Sequence, residues 1–345
     1  MYFYLILPII FSLIIPFIKA GKDAKNIHYF GIGASLLLFL YSFILWFQHG
    51  GSADMTTLYD SVEEIVPWLP SFGIHYAVGV DGLSLTMVFL TTFLLLMAAI
   101  ASLTNIKKRV KLYYSMLFIM ASAVMGVFLA RDLFLFFLFY ELELIPMYLL
   151  IAIWGGPNRQ YAATKFVLYT LFGSVFMLAS ILALYFHISS MGGEAVAGSE
   201  FLFETLRTHI GAIAPASQIL IFLGFFIGFA VKLPVVPFHT WLPDAHVEAP
   251  TPVSMLLAGV LLKMGAYGML RFCWEYLPEA AYALAPWIAA IAVINIVYTA
   301  GVALVQKDLK KLIAYSSVSH MGFVLIGIGS FSSLGTSGAM LQMIS

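Results

Sequence analysis

Ten long apolar segments constrain this chain more than any other feature of its sequence. A helix needs roughly 20 apolar residues to cross a bilayer, and windows of that length recur along the whole chain. The ten predicted spans are residues 1–18, 29–48, 82–103, 112–130, 132–154, 163–188, 217–242, 251–271, 280–305 and 310–330. With 62% hydrophobic and 10% charged residues, a 345-residue chain has more apolar surface than a soluble domain can bury. We therefore predict an all-α, polytopic membrane helix bundle.

The connections between these spans are short, with one exception. Only the loop 49–81 is long enough to form structure of its own on the membrane surface. The segment 200–207 has the pattern of a short interfacial helix. The N-terminal span lacks the basic region that precedes a signal peptide, so we expect it to be retained. No hidden soluble domain is expected.

Lysine and arginine predict how the chain is oriented in the membrane. The loops after odd-numbered spans contain 12 basic residues, whereas the loops after even-numbered spans contain 3. Because inner loops are enriched in basic residues, the N-terminus is predicted to lie outside a cell (inner) membrane. The net charge of zero gives no reason to expect nucleic acid as a partner.

The seventh span contains a buried lysine and a break. Lys232 follows 13 consecutive apolar or glycine residues, about 20 Å of helix. Pro234 and Pro237 then prevent a regular helix, so we predict a broken helix with its hinge at these prolines. A charge at this depth is costly, and broken helices are tolerated only where they are buried in protein or line a wet cavity. Both features indicate an ion or proton path; the alternative is a lysine that snorkels to the interface.

Three further ionisable residues lie at a similar depth on other helices. Glu141 and His320 lie about 12 Å into the fifth and tenth spans, and Lys263 lies about 15 Å into the eighth. Such groups normally face one another or water, so we predict a row of four groups, including Lys232, along which protons move. His320 is equally well explained as a hydrogen-bonded core histidine.

Glu141 is expected to attract Lys232, whereas Glu143 is two residues further along the same helix. Residues two apart point to nearly opposite faces, so Glu143 is not predicted to belong to the relay and is expected to meet a neighbouring helix or subunit. Arg131 and Asp132 are predicted to form an interfacial pair and a helix cap.

Metal and redox centres are not predicted in this chain. Four residues after the break resemble a metal cluster by composition only, because their spacing fits no zinc motif: His239, Asp244, His246 and Glu248. Cys273 is the single cysteine, which excludes an internal disulfide and any cluster held by several cysteines.

Five segments resemble the antiporter-like M subunits of respiratory complex I, the NADH-quinone oxidoreductases, and the resemblance extends over the whole chain. They are YELELIPMYLLIAIWG (140–155), FAVKLP (229–234), WLPDAHVEAPT (241–251), LLKMGAYG (261–268) and IAYSSVSHMG (313–322). Glu143 matches the Glu-Leu-Glu version of cyanobacterial and plastid relatives, which leaves open whether NADH or ferredoxin is the electron donor. In a cyanobacterium the location would be the thylakoid membrane.

The resemblance implies two inverted five-helix repeats, each with a broken helix at its centre. It implies N-terminal helices over 1–110, a first repeat over 111–271 and the start of a second over 272–345. By motif position, Glu141, Lys232, Lys263 and His320 correspond to the family's proton-translocating residues. The family has fourteen helices, whereas this chain ends eight residues into an eleventh apolar run, so a C-terminally truncated form is expected.

The implied function is proton translocation by a non-redox subunit that binds no cofactor itself. NADH, FMN, iron-sulfur clusters and quinone would belong to partner subunits, and neighbouring antiporter-like subunits would be the nearest partners. Two alternatives remain open. The chain is also similar to subunits of multi-subunit cation/proton antiporters, and the midplane charges of an inert membrane scaffold would only fasten helices together.

Overall fold

The computed structural model describes residues 2–19, 24–49, 64–191 and 198–345. In these ranges, nine helices are long and apolar enough to cross a membrane, and a shorter apolar helix covers Tyr2–Phe17. The nine are Lys25–Gln48, Gly82–Asn105, Val110–Leu129, Leu133–Trp154, Arg159–Met191, Pro215–Lys232, Thr251–Glu275, Pro278–Leu304 and Leu309–Gly329. Each coincides with a predicted span, and the first predicted span is the shorter helix. The predicted polytopic helix bundle is confirmed.

The first four helices form one side of this bundle. They are α1 (Tyr2–Ile14), α2 (Lys25–His49), α3 (Gly82–Asn105) and α4 (Val110–Leu129). Helix α1 packs along α4, where the Ser122 hydroxyl donates to the Leu5 carbonyl at 2.7 Å. Helix α4 is almost entirely buried, because it lies between α1, α3 and the next helix along the chain.

The end of the predicted long loop folds as a β-hairpin. Strands β1 (Glu64–Leu69) and β2 (Ile74–Val78) pair antiparallel, with an irregularity between Pro67 and Leu69. Gly73 at the turn has φ of 68°, a left-handed conformation that glycine adopts without steric cost. The expectation of structure in the loop is thus confirmed for its described part, and residues 50–63 lie outside the described ranges.

The fifth span consists of two helices that meet at Glu143. Helix α5 (Leu133–Leu142) begins at Asp132, whose carboxylate accepts hydrogen bonds from the backbone N–H groups of Phe134 and Leu135 at 2.9 and 3.0 Å. This is the predicted cap. Helix α6 (Leu144–Trp154) continues the span. Pro146 explains the interruption, since it has no N–H group to donate to the carbonyl four residues earlier.

The sixth span is α7 (Arg159–Met191), the longest helix in the described part of the chain. It packs closely against α9 (Pro215–Lys232), where Gly173 and Gly228 face each other. A Cβ atom at Gly228 would come within 2.9 Å of Cβ of Met177, and one at Gly173 within 3.1 Å of the Gly228 carbonyl oxygen, so these glycines allow the close approach. The predicted interfacial helix is α8 (Phe203–His209), which begins three residues later than expected.

The seventh span is broken, as predicted. Helix α9 ends at Lys232, the segment 233–240 is not α-helical, and α10 (Trp241–Glu248) continues the chain. The eighth span contains π-helical turns, which the sequence analysis did not predict. It comprises α11 (Thr251–Leu256), a π turn (Leu257–Leu261), α12 (Leu262–Gly268) and a second π turn (Met269–Glu275).

The chain continues with α13 (Pro278–Leu304), α14 (Leu309–Gly329) and α15 (Ser333–Ile344). Helices α13 and α14 pack along each other, and α10 packs against α14. The second half of the broken helix therefore contacts the part of the chain that follows the eighth span. The division at residues 110 and 271 stays a prediction, as does the orientation of the N-terminus.

Candidate functional site

Lys232 is the last residue of α9, and its side chain is almost completely buried, with 1% exposed. Two aromatic rings lie against its ammonium group. Its Nζ atom lies 4.8 Å from the centroid of the Tyr140 ring and 5.8 Å from that of Phe166. The negative face of an aromatic ring attracts a cation, but it neutralises no charge. The lysine therefore needs an anionic partner.

That partner is Glu143, not Glu141. The Lys232 ammonium forms an ion pair with Oε1 of Glu143, whose side chain is 0% exposed. Its other oxygen, Oε2, is buried and has no hydrogen-bond partner within the described residues. The expected attraction between Glu141 and Lys232 is present, but the direct contact belongs to Glu143, which meets the neighbouring helix as expected.

Glu141 points elsewhere. Its Oε1 atom accepts a hydrogen bond from the Ser174 hydroxyl of α7 at 2.5 Å. It is half-buried and lines a groove of about 460 Å³ between α6 and α7 that is otherwise apolar. The prediction that the two glutamates occupy different faces holds, but which face meets α9 depends on the rotation of the helix. The apolar sequence around them, with hydrophobic residues on every side, contains no signal for that rotation.

The non-helical segment after Lys232 is held by side-chain hydrogen bonds. The backbone N–H of Val236 donates to Oδ1 of Asn295 at 2.9 Å, and Nδ2 of Asn295 donates to the Val318 carbonyl at 3.0 Å. Across the break, the Trp241 indole donates to the Val231 carbonyl at 2.8 Å. Because a buried backbone group without a partner is costly, these bonds stabilise the broken conformation. Asn295, on α13, was not singled out from the sequence.

Lys263 lies beside this break but does not touch Lys232. Its Nζ atom donates to the Ala258 carbonyl at 2.7 Å, five residues earlier in the π-helical part of the eighth span. Two residues later, Gly265 lies against the backbone of Phe229 and Leu233; a Cβ atom there would come within 2.8 Å of backbone atoms of both. This glycine allows the eighth span to contact the end of α9. The eighth span therefore contacts the end of α9 close to both lysines, and their common depth in the membrane stays a prediction.

His320 does not face this cluster within the described chain. Its side chain is exposed, and its nearest aromatic neighbour is Phe323 on the same helix. The serine hydroxyls near it bond to backbone carbonyls: Ser317 to Ile313 and Ser319 to Ile296. The alternative interpretation of His320 as a buried core histidine is not observed in the described chain, whereas its proton-translocating role stays a prediction. As with Glu141, helix rotation decides the outcome.

The four residues that resemble a metal cluster by composition do not form a common site. Asp244 pairs with Lys165 at 2.7 Å, and Oε2 of Glu248 accepts from the Asn158 N–H at 2.9 Å. His239 lies against two tyrosine rings, and His246 lies in the last turn of α10. In the residues that the structure describes, no group of three or more His, Cys, Asp or Glu side chains could hold a metal ion.

A second cluster of buried charges ties helix ends together. Oδ2 of Asp81 accepts from Arg131 at 2.8 Å and also from Arg271, which in turn pairs with Glu275 at 2.8 Å. We name these four residues the arginine cluster. Arg131 was expected to pair with Asp132, but the Asp132 carboxylate is occupied by the cap and by the His75 N–H at 3.1 Å. Asp81 and Glu275 were missed because they are distant from Arg131 in sequence.

The family model described as "NADH:quinone oxidoreductase/Mrp antiporter, TM" matches residues 130–345. The chain belongs to this family. The matched region includes both glutamates, both buried lysines, the break and His320. The resemblance stated from the sequence motifs is therefore confirmed, and the chain is a multi-pass membrane protein.

The chain is similar to proteins from cyanobacteria. The chain is 46% identical over 343 residues to NAD(P)H-quinone oxidoreductase chain 4 of Prochlorococcus marinus (strain MIT 9215), and the match covers 99% of this chain and 61% of the relative. It is 47% identical over 341 residues to the protein of the same name from Synechococcus sp. (strain WH7803), covering 99% and 60%. The chain thus spans about 61% of the length of such curated relatives.

Solved structures share the fold. Respiratory complex I from Thermus thermophilus with bound NADH contains a chain of 29% identity and TM-score 0.79; the match covers 99% of this chain and 69% of that one. The Mrp complex from Dietzia sp. DQ12-45-1b contains a chain of 23% identity and TM-score 0.77, with coverage of 99% and 35%. The second likeness shows the fold alone.

Proposed function

We propose that this chain is a proton-translocating membrane subunit of an NAD(P)H-quinone oxidoreductase of the complex I type. The observation that carries the proposal is the Lys232–Glu143 ion pair at the broken end of α9. A lysine can lose a proton and a carboxylate can take it up, and both side chains are inaccessible to solvent. Burying such a pair in a membrane span costs free energy, so ionisable groups in this position usually have a function.

The pair supports a simple proton step. When the proton leaves Nζ of Lys232 and binds an oxygen of Glu143, one N–H bond breaks, one O–H bond forms and both groups become neutral. The aromatic rings around Lys232 keep the local dielectric low, so charges nearby act strongly on this equilibrium. A change of charge in the neighbourhood can therefore decide which form is present.

The proposed lateral route uses Glu141, Lys232, Lys263 and His320, with Glu143 added as the direct partner of Lys232. Glu141 would hold or release protons at the groove between α6 and α7. Lys263 would exchange protons with the Lys232 centre across the contact at Gly265. His320, exposed on α14, would carry them onward to a neighbouring element or subunit. Pro234 and Pro237 would provide the hinge.

The redox chemistry would take place in partner subunits. The single cysteine, Cys273, is buried, and we propose that NADH or another donor, FMN, iron-sulfur clusters and quinone bind elsewhere in the complex. Neighbouring antiporter-like subunits and peripheral subunits would be the protein partners. The membrane would be the cell inner membrane, or the thylakoid membrane in a cyanobacterium.

A cation/proton antiporter subunit is the second candidate, because the family description includes Mrp antiporters. We favour the oxidoreductase because relatives named NAD(P)H-quinone oxidoreductase chain 4 reach 47% identity, whereas the Mrp chain has 23%. The Glu-Leu-Glu sequence at 141–143 also fits the cyanobacterial version.

Proton pumping in inverted membrane vesicles from the source organism tests this proposal. We expect NAD(P)H or reduced ferredoxin, added with quinone, to generate a pH gradient that disappears when the gene is deleted and returns with the wild-type gene. A gradient that instead depends on added sodium and is independent of any electron donor would contradict the oxidoreductase and support the antiporter.

A further inference from the structure

The proposed route has a gap between Glu141 and the Lys232–Glu143 pair. Glu141 lines the groove between α6 and α7, whereas Glu143 points to α9 and pairs with Lys232. Of the two aromatic rings beside the Lys232 ammonium, Phe166 has no polar side-chain atom. The other ring belongs to Tyr140 and carries a hydroxyl group. Tyr140 is therefore the side chain at this centre that can connect the two glutamates.

Tyr140 lies on the same face of the fifth span as Glu143. Although α5 ends at Leu142, Glu143 keeps helical backbone angles, with φ of −67° and ψ of −23°. Residues three apart on a helix have neighbouring side chains. Both side chains are buried, with 2% of Tyr140 and 0% of Glu143 exposed. The Lys232 ammonium pairs with Oε1 of Glu143 and lies 4.8 Å from the centroid of the Tyr140 ring.

Two oxygen atoms at this centre are buried without a hydrogen-bond partner among the residues that the structure describes. They are Oη of Tyr140 and Oε2 of Glu143. The Tyr140 ring packs against Phe136 and Phe229, whose ring centroids lie 5.7 and 6.0 Å away, and these rings offer the hydroxyl no acceptor atom. A buried oxygen without a partner costs free energy. Two such atoms beside one ammonium group are suited to share a proton or a water molecule.

The Tyr140 hydroxyl is also influenced by Glu141. The charge of the Glu141 carboxylate acts on this hydroxyl as well as on the Lys232 ammonium. A tyrosine hydroxyl has one proton to donate and an oxygen that accepts, so it can pass a proton on without becoming charged. Tyr140 thus combines an interaction with the glutamate in the groove and a common helix face with the glutamate that pairs with the lysine.

We propose that the Tyr140 hydroxyl is a proton relay between Glu141 and the Lys232–Glu143 pair. Its oxygen takes a proton from the side of Glu141, and its own proton passes to Oε2 of Glu143, directly or through one bridging water. One O–H bond breaks and one forms at Tyr140, while Glu141 loses a proton and Glu143 gains one. The proposal rests on the proposed function, because the relay belongs to the same row.

The relay explains how two glutamates on different faces of one span serve a single lysine. When Glu143 is ionised, the Tyr140 hydroxyl donates towards Oε2. When Glu143 is protonated, its own O–H donates towards Oη of Tyr140. The hydroxyl therefore has a hydrogen-bonding role in each state, and its orientation follows the charge of the pair.

The test replaces Tyr140 in the full-length protein, assembled in the complete complex. Tyr140→Phe removes one oxygen, keeps the ring beside Lys232 and loses no hydrogen bond to a described residue. We expect wild-type assembly and a fall of about tenfold or more in the rate of pH-gradient formation per assembled complex, because a proton-transfer group is lost. A wild-type rate would overturn the relay.

Tyr113→Phe is the matched control. Tyr113 is a fully buried tyrosine of α4, and its hydroxyl accepts a hydrogen bond from Ser102 at 2.9 Å. It is not part of the proposed row, so this variant should pump at the wild-type rate per assembled complex. An equal loss in both variants would show that any buried tyrosine hydroxyl has this effect, and the relay would be rejected.

The solvent isotope effect separates a relay from a purely structural hydroxyl. Pumping rates are measured in H₂O and in D₂O for the wild type and for Tyr140→Phe. If the hydroxyl carries the proton, its loss slows proton transfer, so the ratio of the rate in H₂O to the rate in D₂O should rise in the variant. A slower variant with an unchanged ratio would assign the hydroxyl a packing role and contradict the relay.

Lys232→Ala separates failure of this inference from failure of the proposed function. If Lys232→Ala abolishes pumping while Tyr140→Phe pumps at the wild-type rate, the row is correct and Tyr140 is not its relay. If Lys232→Ala itself pumps at the wild-type rate, the lateral row is wrong, and the relay within it is wrong as well.

Discussion

Two buried groups of charges in the described part of the chain have opposite designs. The Lys232–Glu143 pair consists of one lysine and one carboxylate among aromatic rings, and one carboxylate oxygen has no hydrogen-bond partner there. The arginine cluster contains two arginines and two carboxylates, and it joins the start of α3 to the end of the eighth span. Its Asp81 also accepts the Ser84 N–H at 2.9 Å as the cap of α3.

The difference follows from the chemistry of the two cations. Arginine stays protonated in proteins and forms several directional hydrogen bonds, which suits a fixed connection between helix ends. Lysine is a compact charge that loses its proton more readily when it is buried, which suits transfer. We infer that the arginine cluster maintains the fold and that the Lys232 centre changes charge during the proposed cycle.

The largest expected effect comes from breaking the arginine cluster. Asp81→Ala leaves two buried arginines without their shared carboxylate, and breaking a buried ion network typically costs about 3–5 kcal/mol. We expect much less assembled complex and a lower thermal unfolding temperature in detergent. Asp308→Ala, which removes an exposed cap at the start of α14, is the control and should have a much smaller effect. Equal losses for both variants would show that the cluster adds nothing beyond an ordinary cap.

Glu143→Gln should destabilise less than Asp81→Ala, although Glu143 is more deeply buried. The loss of a hydrogen bond to a charged group costs about 1.5–3 kcal/mol, and Lys232 can reduce the penalty by releasing its proton, which arginine cannot do. The destabilisation should therefore shrink as the pH rises, because deprotonation of Lys232 becomes easier. Thermal unfolding of the purified complex, measured between about pH 6 and pH 9, gives this destabilisation as a function of pH. In roughly this range a buried lysine can release its proton. A penalty that grows with pH would contradict a dischargeable lysine.

Exchanging the two cations sharpens the comparison further. Lys232→Arg keeps the positive charge but cannot deprotonate, so we expect normal assembly with about a tenfold loss of pumping, equivalent to about 1.4 kcal/mol in the activation free energy. Arg271→Lys, the reciprocal change in the arginine cluster, should reduce stability but leave the pumping rate per assembled complex unchanged. The measurement is pH-gradient formation in vesicles, normalised to assembled complex. Wild-type pumping by Lys232→Arg would make Lys232 a fixed charge.

The sequence by itself determined where the membrane spans lie along the chain. Apolar windows placed the spans, Pro234 and Pro237 placed the break after Lys232, and Asp132 marked the start of α5. These features are local: they depend on helix length, on a missing N–H group or on a side chain that bonds to its own backbone. Depth in the membrane is also local, because it follows from counting residues along a helix.

Tertiary structure decided which faces meet. Glu143 rather than Glu141 contacts Lys232, His320 is exposed, and Arg131 pairs with Asp81 instead of its sequence neighbour. The first two outcomes depend on the rotation of a helix about its axis, and the third depends on which helix ends meet. In a span that is apolar on every side, no hydrophobic stripe fixes that rotation, so packing against the neighbouring helices sets it. The sequence therefore specified the position of each charge along its span, and the assembled bundle specified its partner.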